Sequence, residues 1–292
     1  MDWRRDLPGW PRAETSRKVA CRPHRWHVQE AGTGPDLLFL HGAGGSTHSW
    51  RDVIPQMAGA FRTLAIDLPG QGFSERGTGL RLSLETICGD IAALCAQEGW
   101  RPVAIVGHSA GGAIALRLSE RLEAPHGGPP RVVTFNAALT PFDGVAGWLF
   151  PILAKLLVLN PLVPSLFSLG SGDPRRVRQL IAGTGSELSD EGIALYAKLL
   201  GDRGHVDGTL RMMAQWKLDT LLDHLAGLDT PTTLIAGARD AAVAPDVSRR
   251  AAEAMPDARF VMLDGLGHLA HEEDPARAAA EIRAALALTP SG

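Results

Sequence analysis

The chain has 292 residues, 45% of them hydrophobic, a formal net charge of −3 and an isoelectric point of about 6.4. That length accommodates one large α/β domain, or a core domain with an insertion. The charge balance gives no footprint for nucleic acid, and three cysteines (Cys21, Cys88, Cys95) are too few for a disulfide framework and lack zinc-ligand spacing.

The opening segment, MDWRRDLPGWPRAETSRK, mixes charges and prolines. It has no apolar region of the kind a secretory signal needs, so a cytoplasmic location is expected. Arg25–Gln29 (RWHVQ) alternates like a half-exposed strand, and Leu37–Leu40 (LLFL) is a continuous apolar run suited to a strand covered on both faces. Arg62–Ile66 reads as another strand. Ser83 is placed to cap a helix in which Leu84, Ile87, Cys88, Ile91, Leu94 and Cys95 recur at helical spacing. Cys88 and Cys95 then share one face, as buried thiols would.

Val103–Val106 is the next strand, followed by a helix to about Leu122 and a strand at Arg131–Phe135. Two late strands, Thr232–Ala236 and Arg259–Leu263, are interleaved with helical patterns at Pro245–Met255 and Asp274–Leu288. The alternation predicts an α/β architecture, a mostly parallel sheet covered by helices. Residues 139–228 break the rhythm with helices alone and read as an inserted cap, leaving 1–138 and 229–292 as the core. The cap's first part, GWLFPILAKLLVLNPLVPSLFSLG, is the most apolar stretch of the chain. Pro161 and Pro164 break it too often for a membrane span. It fits either buried cap packing or a lipophilic surface for substrate or peripheral membrane contact.

Chemistry concentrates at Gly107-His-Ser-Ala-Gly111, between a predicted strand and a predicted helix. That setting is what a nucleophile elbow requires, with Ser109 as nucleophile and glycines where the backbones come close. A serine hydroxyl needs a base. His268, in Leu263-Asp-Gly-Leu-Gly-His, lies on a loop after the last strand; His271 ranks second and otherwise reads as a solvated or capping histidine. Asp240, on the loop after the Thr232–Ala236 strand, is the carboxylate to orient His268, completing the order Ser, Asp, His. Asp264 shares the short base loop and is badly placed for that role. Oxyanion donors are expected from the backbone N–H groups of Ala110 and of Ala43, the latter in His41-Gly-Ala-Gly-Gly45.

His41, Trp50, His108, Met213 and Trp216 are candidates for the pocket wall, each with packing or loop-shaping as the plainer role. His48 flanks the same loop. No metal or organic cofactor is needed by these residues.

These motifs resemble the α/β-hydrolase superfamily. Serine rather than aspartate at the elbow argues against its haloalkane dehalogenase and epoxide hydrolase branches. A narrower resemblance rests on MDWRRDLPGWP, RWHVQ, HGAGGSTHSWRD, DLPGQGFS, GHSAGGAI, FDGVAGWLFPILAKLLVLNPLVPSLF, HVDGTLRMMAQWKLDTLL and GLGHLAHEEDP. Together they are similar to the magnesium chelatase accessory proteins of bacteriochlorophyll synthesis. Gln71 departs from that pattern, where histidine is common, and reads as neutral because it lies off the triad.

The resemblance implies a place in the magnesium branch of tetrapyrrole synthesis and association with magnesium chelatase; the apolar cap would suit a lipophilic acyl or tetrapyrrole substrate. The resemblance does not supply a reaction. Ester hydrolysis, C–C bond hydrolysis and perhydrolysis use the same residues, and a tetrapyrrole-binding factor with little or no hydrolysis stands beside them.

Overall fold

Alternate residues of the central strands serve two different cores. In β3 (Asp36–Leu40), Leu38 and Leu40 point to one core, and Leu37 and Phe39 to the other. The same split recurs in β4 (Arg62–Ile66), β5 (Pro102–His108), β6 (Arg131–Phe135) and β7 (Thr232–Gly237). A strand buried on both faces has no polar side to show, which is why LLFL reads as an unbroken apolar run. Each such side chain taken wholly out of water contributes about 1.5–3 kcal/mol.

The computed structural model describes residues 1–77, 81–140 and 172–287. Among these, eight strands form one sheet in the order β1-β2-β4-β3-β5-β6-β7-β8, completed by β1 (Ser16–Cys21), β2 (His24–Ala31) and β8 (Ala258–Leu263). The pairs β1–β2 and β2–β4 are antiparallel, and the pairs from β4 onward are parallel.

Short α1 (Trp3–Asp6) opens the chain, and α2 (Ile54–Met57) precedes β4. Ser83 caps α3 (Leu84–Glu98) by accepting from the Thr86 N–H, and α4 (Ala110–Ser119) follows β5. Between β6 and β7 the described residues form α5 (Pro174–Gly183), α6 (Asp190–Leu200), α7 (Arg203–Ala214) and α8 (Asp219–His224), with no strand among them. The chain continues through α9 (Pro245–Ala254), α10 (Ala270–Glu273) and α11 (Pro275–Ala287). Residues of α3, α4 and α9 join one core, and those of α2 and α11 the other, giving three layers.

Two expectations change. β1 lacks a clear apolar alternation and escapes sequence reading; its register on β2 supplies the pairing. β2 is not half-exposed, because Trp26, His27, Val28 and Gln29 are all buried. Trp3 meets the His27 ring edge-on at 5.6 Å, and Gln29 donates to the Pro11 carbonyl at 2.7 Å. The N-terminal segment thus covers this strand.

All three cysteines are free and buried. Burial pushes the thiols of Cys88 and Cys95 up to about 12. Residues 141–171 of the expected cap, the apolar 147–170 stretch included, lie outside the described residues. Among the described residues no helix is long and apolar enough to cross a membrane.

Candidate active site

The turn from β5 into α4 carries Ser109 at φ 51° and ψ −116°, in the left-handed half of backbone space that non-glycine residues avoid. Its flanks must be glycine. A Cβ on Gly107 would lie 2.2 Å from the Gly111 carbonyl oxygen, and one on Gly111 would lie 2.4 Å from the Leu40 oxygen. The strained turn is held by bonds from the Ser109 N–H to the Phe135 oxygen (3.0 Å) and from the Ala138 N–H to the Ser109 oxygen (3.0 Å). Ala110 is the first residue of α4, so its N–H has no intrahelical acceptor.

Ser109 and His268 line one cavity of about 310 Å³. The rest of its described wall is the Gly42–Gly45 turn, His108, Leu180, Ile181, Thr184, Tyr196, Leu200, Thr209 and Leu269. The wall carries no Lys, Arg, Asp or Glu among these residues, and four of them are large aliphatics. In the Gly42–Gly45 turn, the Gly45 N–H bonds the Gly42 oxygen at 3.0 Å and the Gly44 N–H bonds Gln71 Oε1 at 2.8 Å. Ala43 sits between these fixed peptides.

His268 Nδ1 lies 2.8 Å from Asp240 Oδ2. A carboxylate accepts, so Nδ1 carries the hydrogen and Nε2 is left with its lone pair. Asp240 is fixed by further donors: Asn136 Nδ2 to Oδ2 at 2.6 Å, and the Ala242 and Val243 N–H groups to Oδ1, each at 2.8 Å. Asn136, on the turn after β6, itself has φ 51°.

The five residues expected at the pocket wall part company. His108 lines the cavity, and its Nε2–H donates to the His268 carbonyl at 3.0 Å. Trp50 is fully buried in the core against Phe39 and His271. His41 is fully buried too; it pairs with the Gly42 oxygen at 2.7 Å and the Leu68 N–H at 2.9 Å, and so shapes the loop. Met213 and Trp216 are half-buried and absent from the described cavity wall; Trp216 packs on the core.

His271 is not solvated, and it is not among the residues that line the cavity. It is buried in α10, its ring 4.5 Å from that of His108 and 4.4 Å from that of Trp50, and neither ring nitrogen has a hydrogen-bond partner among the described residues. Burial first, then the neighbouring histidines, with Arg51 added in the case of His271, hold His108 and His271 well below the usual histidine range, so both rings are neutral at pH 7. Gln71 is not neutral in the structural sense either, since it is fully buried and bound to the Gly44 N–H.

Sequence reading missed Asn136, Tyr196 and His205. Tyr196 lines the cavity and donates to Glu272 Oε1 at 2.6 Å; Glu272 in turn pairs with Arg51 at 2.7 Å. His205 donates from Nε2 to the Gly44 oxygen at 3.1 Å. These contacts join segments far apart in the chain, and no local pattern marks them. Among the described residues no group of three or more His, Cys, Asp or Glu side chains is arranged to hold a metal ion.

Comparison with known proteins agrees with this architecture. The profile of the alpha/beta hydrolase fold family matches residues 35–275. The magnesium-chelatase 30 kDa subunit of Rhodobacter capsulatus is 42% identical over 274 residues, covering 93% of this chain and 94% of that protein. Among solved structures, the epoxide hydrolase CorEH superposes with a TM-score of 0.76 at 22% identity, over 94% of this chain and 98% of that one. An esterase from Exiguobacterium antarcticum superposes with a TM-score of 0.73 at 16% identity, over 92% of this chain and 98% of that one. At those identities the structures speak for the fold alone. The family profile and the long relative together establish that the chain belongs to the α/β-hydrolase fold family.

Proposed function

We propose that the protein is a serine hydrolase acting on an ester or related acyl substrate of lipophilic character. The observation that carries the reading is the pairing of a strained serine turn with the His268–Asp240 hydrogen bond of 2.8 Å beside one apolar cavity. In this reading Ser109 Oγ attacks the acyl carbonyl and His268 Nε2 takes its proton. Asp240 fixes the tautomer and stabilises the imidazolium. The Ala43 and Ala110 N–H groups receive the oxyanion, aided by the α4 N-terminus. His268 then protonates the leaving group and activates the water that releases the acyl group. Of the expected 139–228 cap, the described α5 and α6 contribute Leu180, Ile181 and Leu200, which offer an uncharged wall to the substrate.

The similarity to a magnesium-chelatase subunit supports a setting in the magnesium branch of bacteriochlorophyll synthesis, and chelatase association with it. It also favours a second reading, a tetrapyrrole-binding accessory factor with little or no hydrolysis.

A fluorophosphonate probe separates the two. Wild type is expected to label, and Ser109→Ala and His268→Ala are expected to lose labelling, because removing a triad member costs about 10⁴-fold or more in rate. A well-folded wild type that takes no label would sink the hydrolase reading. Porphyrin binding by absorbance titration, surviving in Ser109→Ala, would then carry the second.

A further inference from the structure

Gly44 is gripped at both of its polar backbone atoms. Its N–H donates to Gln71 Oε1 at 2.8 Å, and its carbonyl accepts from His205 Nε2 at 3.1 Å. The two side chains come from different parts of the fold: Gln71 follows β4, and His205 stands in the first turn of α7. Both are buried.

Neither grip is free to reverse. The Gly72 N–H donates to His205 Nδ1 at 3.0 Å, so Nδ1 must be unprotonated and Nε2 must carry the hydrogen. Burial lowers the His205 pKa to about 4, which keeps that single tautomer at neutral pH. Gln71 presents its amide hydrogens to Met212 Sδ at 3.1 Å, also on α7. Turning the amide over would set a donor against the Gly44 N–H. Gly44 follows Ala43 directly, and the peptide after it is closed onto Gly42. Fixing Gly44 therefore fixes the direction of the Ala43 N–H.

We propose that Gln71 and His205 are positioning residues that hold the Ala43 N–H at the oxyanion position. Because His205 and Met212 both belong to α7, seating that helix on the core is part of completing the site. The inference rests on the serine-hydrolase reading above. An oxyanion donor is worth about 10²–10³ in rate, and a displacement of about 1 Å can forfeit about 10².

The test follows phosphonylation of Ser109 by a fluorophosphonate across a concentration series, which separates the maximal labelling rate from the half-saturating concentration. The variants are Gln71→Met, His205→Phe and His205→Gln, each checked by thermal melting. Gln71→Met keeps length and apolar packing but removes the acceptor. His205→Gln restores a donor toward the Gly44 oxygen.

Gln71→Met and His205→Phe are expected to lose about 10- to 100-fold in maximal labelling rate with half-saturation changed less than about twofold. His205→Gln is expected to recover most of the loss. If His205→Phe does not fold, Gln71→Met and His205→Gln carry the same comparison. Folded variants that label at the wild-type rate, or that change half-saturation alone, overturn the positioning role and leave the hydrolase reading intact. A wild type that takes no label overturns the hydrolase reading, and the positioning role falls with it.

Discussion

Asn136 donates to the same Asp240 oxygen that receives the His268 Nδ1 hydrogen, and it does so from a backbone at φ 51°. Asparagine tolerates that conformation better than most residues, and glycine better still. Two variants therefore separate the side chain from the backbone. Asn136→Gly loses the hydrogen bond, which to a charged group is worth about 1.5–3 kcal/mol. Asn136→Ala loses the same bond and adds about 1–2 kcal/mol of left-handed strain. Urea midpoints are expected in the order wild type, Gly, Ala; an Ala variant at least as stable as Gly would contradict the ordering. Ser109, Asp240 and His268 could be picked from the sequence because each sits beside a local signal: glycines around a serine, or a loop directly after an apolar run. Asn136 has no such signal. It matters through an oxygen 104 positions away, and only the pairing of β6 with β7 brings the two together.

At the scale of elements, Arg51, Glu272 and Tyr196 tie three segments at one point. Arg51 lies a few residues after the Gly42–Gly45 turn, Glu272 belongs to α10 and Tyr196 to α6. The Arg51–Glu272 pair spans 2.7 Å with the Glu272 side chain fully buried. Burial pushes the Glu272 carboxyl up from its ordinary value, while Arg51 and the Tyr196 hydroxyl pull it back. Breaking such a pair from one side costs about 3–5 kcal/mol when the remaining buried charge has no other partner, and Asp52, 3.2 Å from Arg51 Nε, keeps the loss here below that. Glu272→Leu is expected to show a smaller but clear loss in a denaturant titration. The double variant Arg51→Met with Glu272→Leu is expected to be more stable than Glu272→Leu alone, because no buried charge remains and Asp52 is half exposed. Tyr196→Phe should cost about 1.5–3 kcal/mol, the worth of a hydrogen bond to a charged group. Periodicity made the helices and the central strands legible, since burial on one side or both leaves its mark on spacing. It could not reveal β1, whose order comes from its neighbour, or the closing of β2 by the N-terminal segment.

Over the whole molecule, histidines are buried out of proportion to their polarity. Burial lowers the pKa values of His41, His48, His108, His205 and His271. The unfolded chain therefore binds more protons than the folded one between about pH 6.5 and each lowered value, and stability must fall as pH falls through that window. His205 alone, lowered to about 4, accounts for about 3 kcal/mol lost between pH 7 and pH 4. Melting temperature is expected to hold above about pH 7 and to drop steadily below it; a flat profile down to pH 4.5 would contradict the buried neutral rings. The cysteines have the opposite character. With Cys88 and Cys95 at about 12 and Cys21 also raised by burial, almost no thiolate is present at neutral pH, and reagents that attack thiolates find nothing to react with. Reaction waits until the chain opens. Cys21 lies in β1 and the other two in α3, so the protein carries its own clock for unfolding, with one hand on the sheet edge and two in the core.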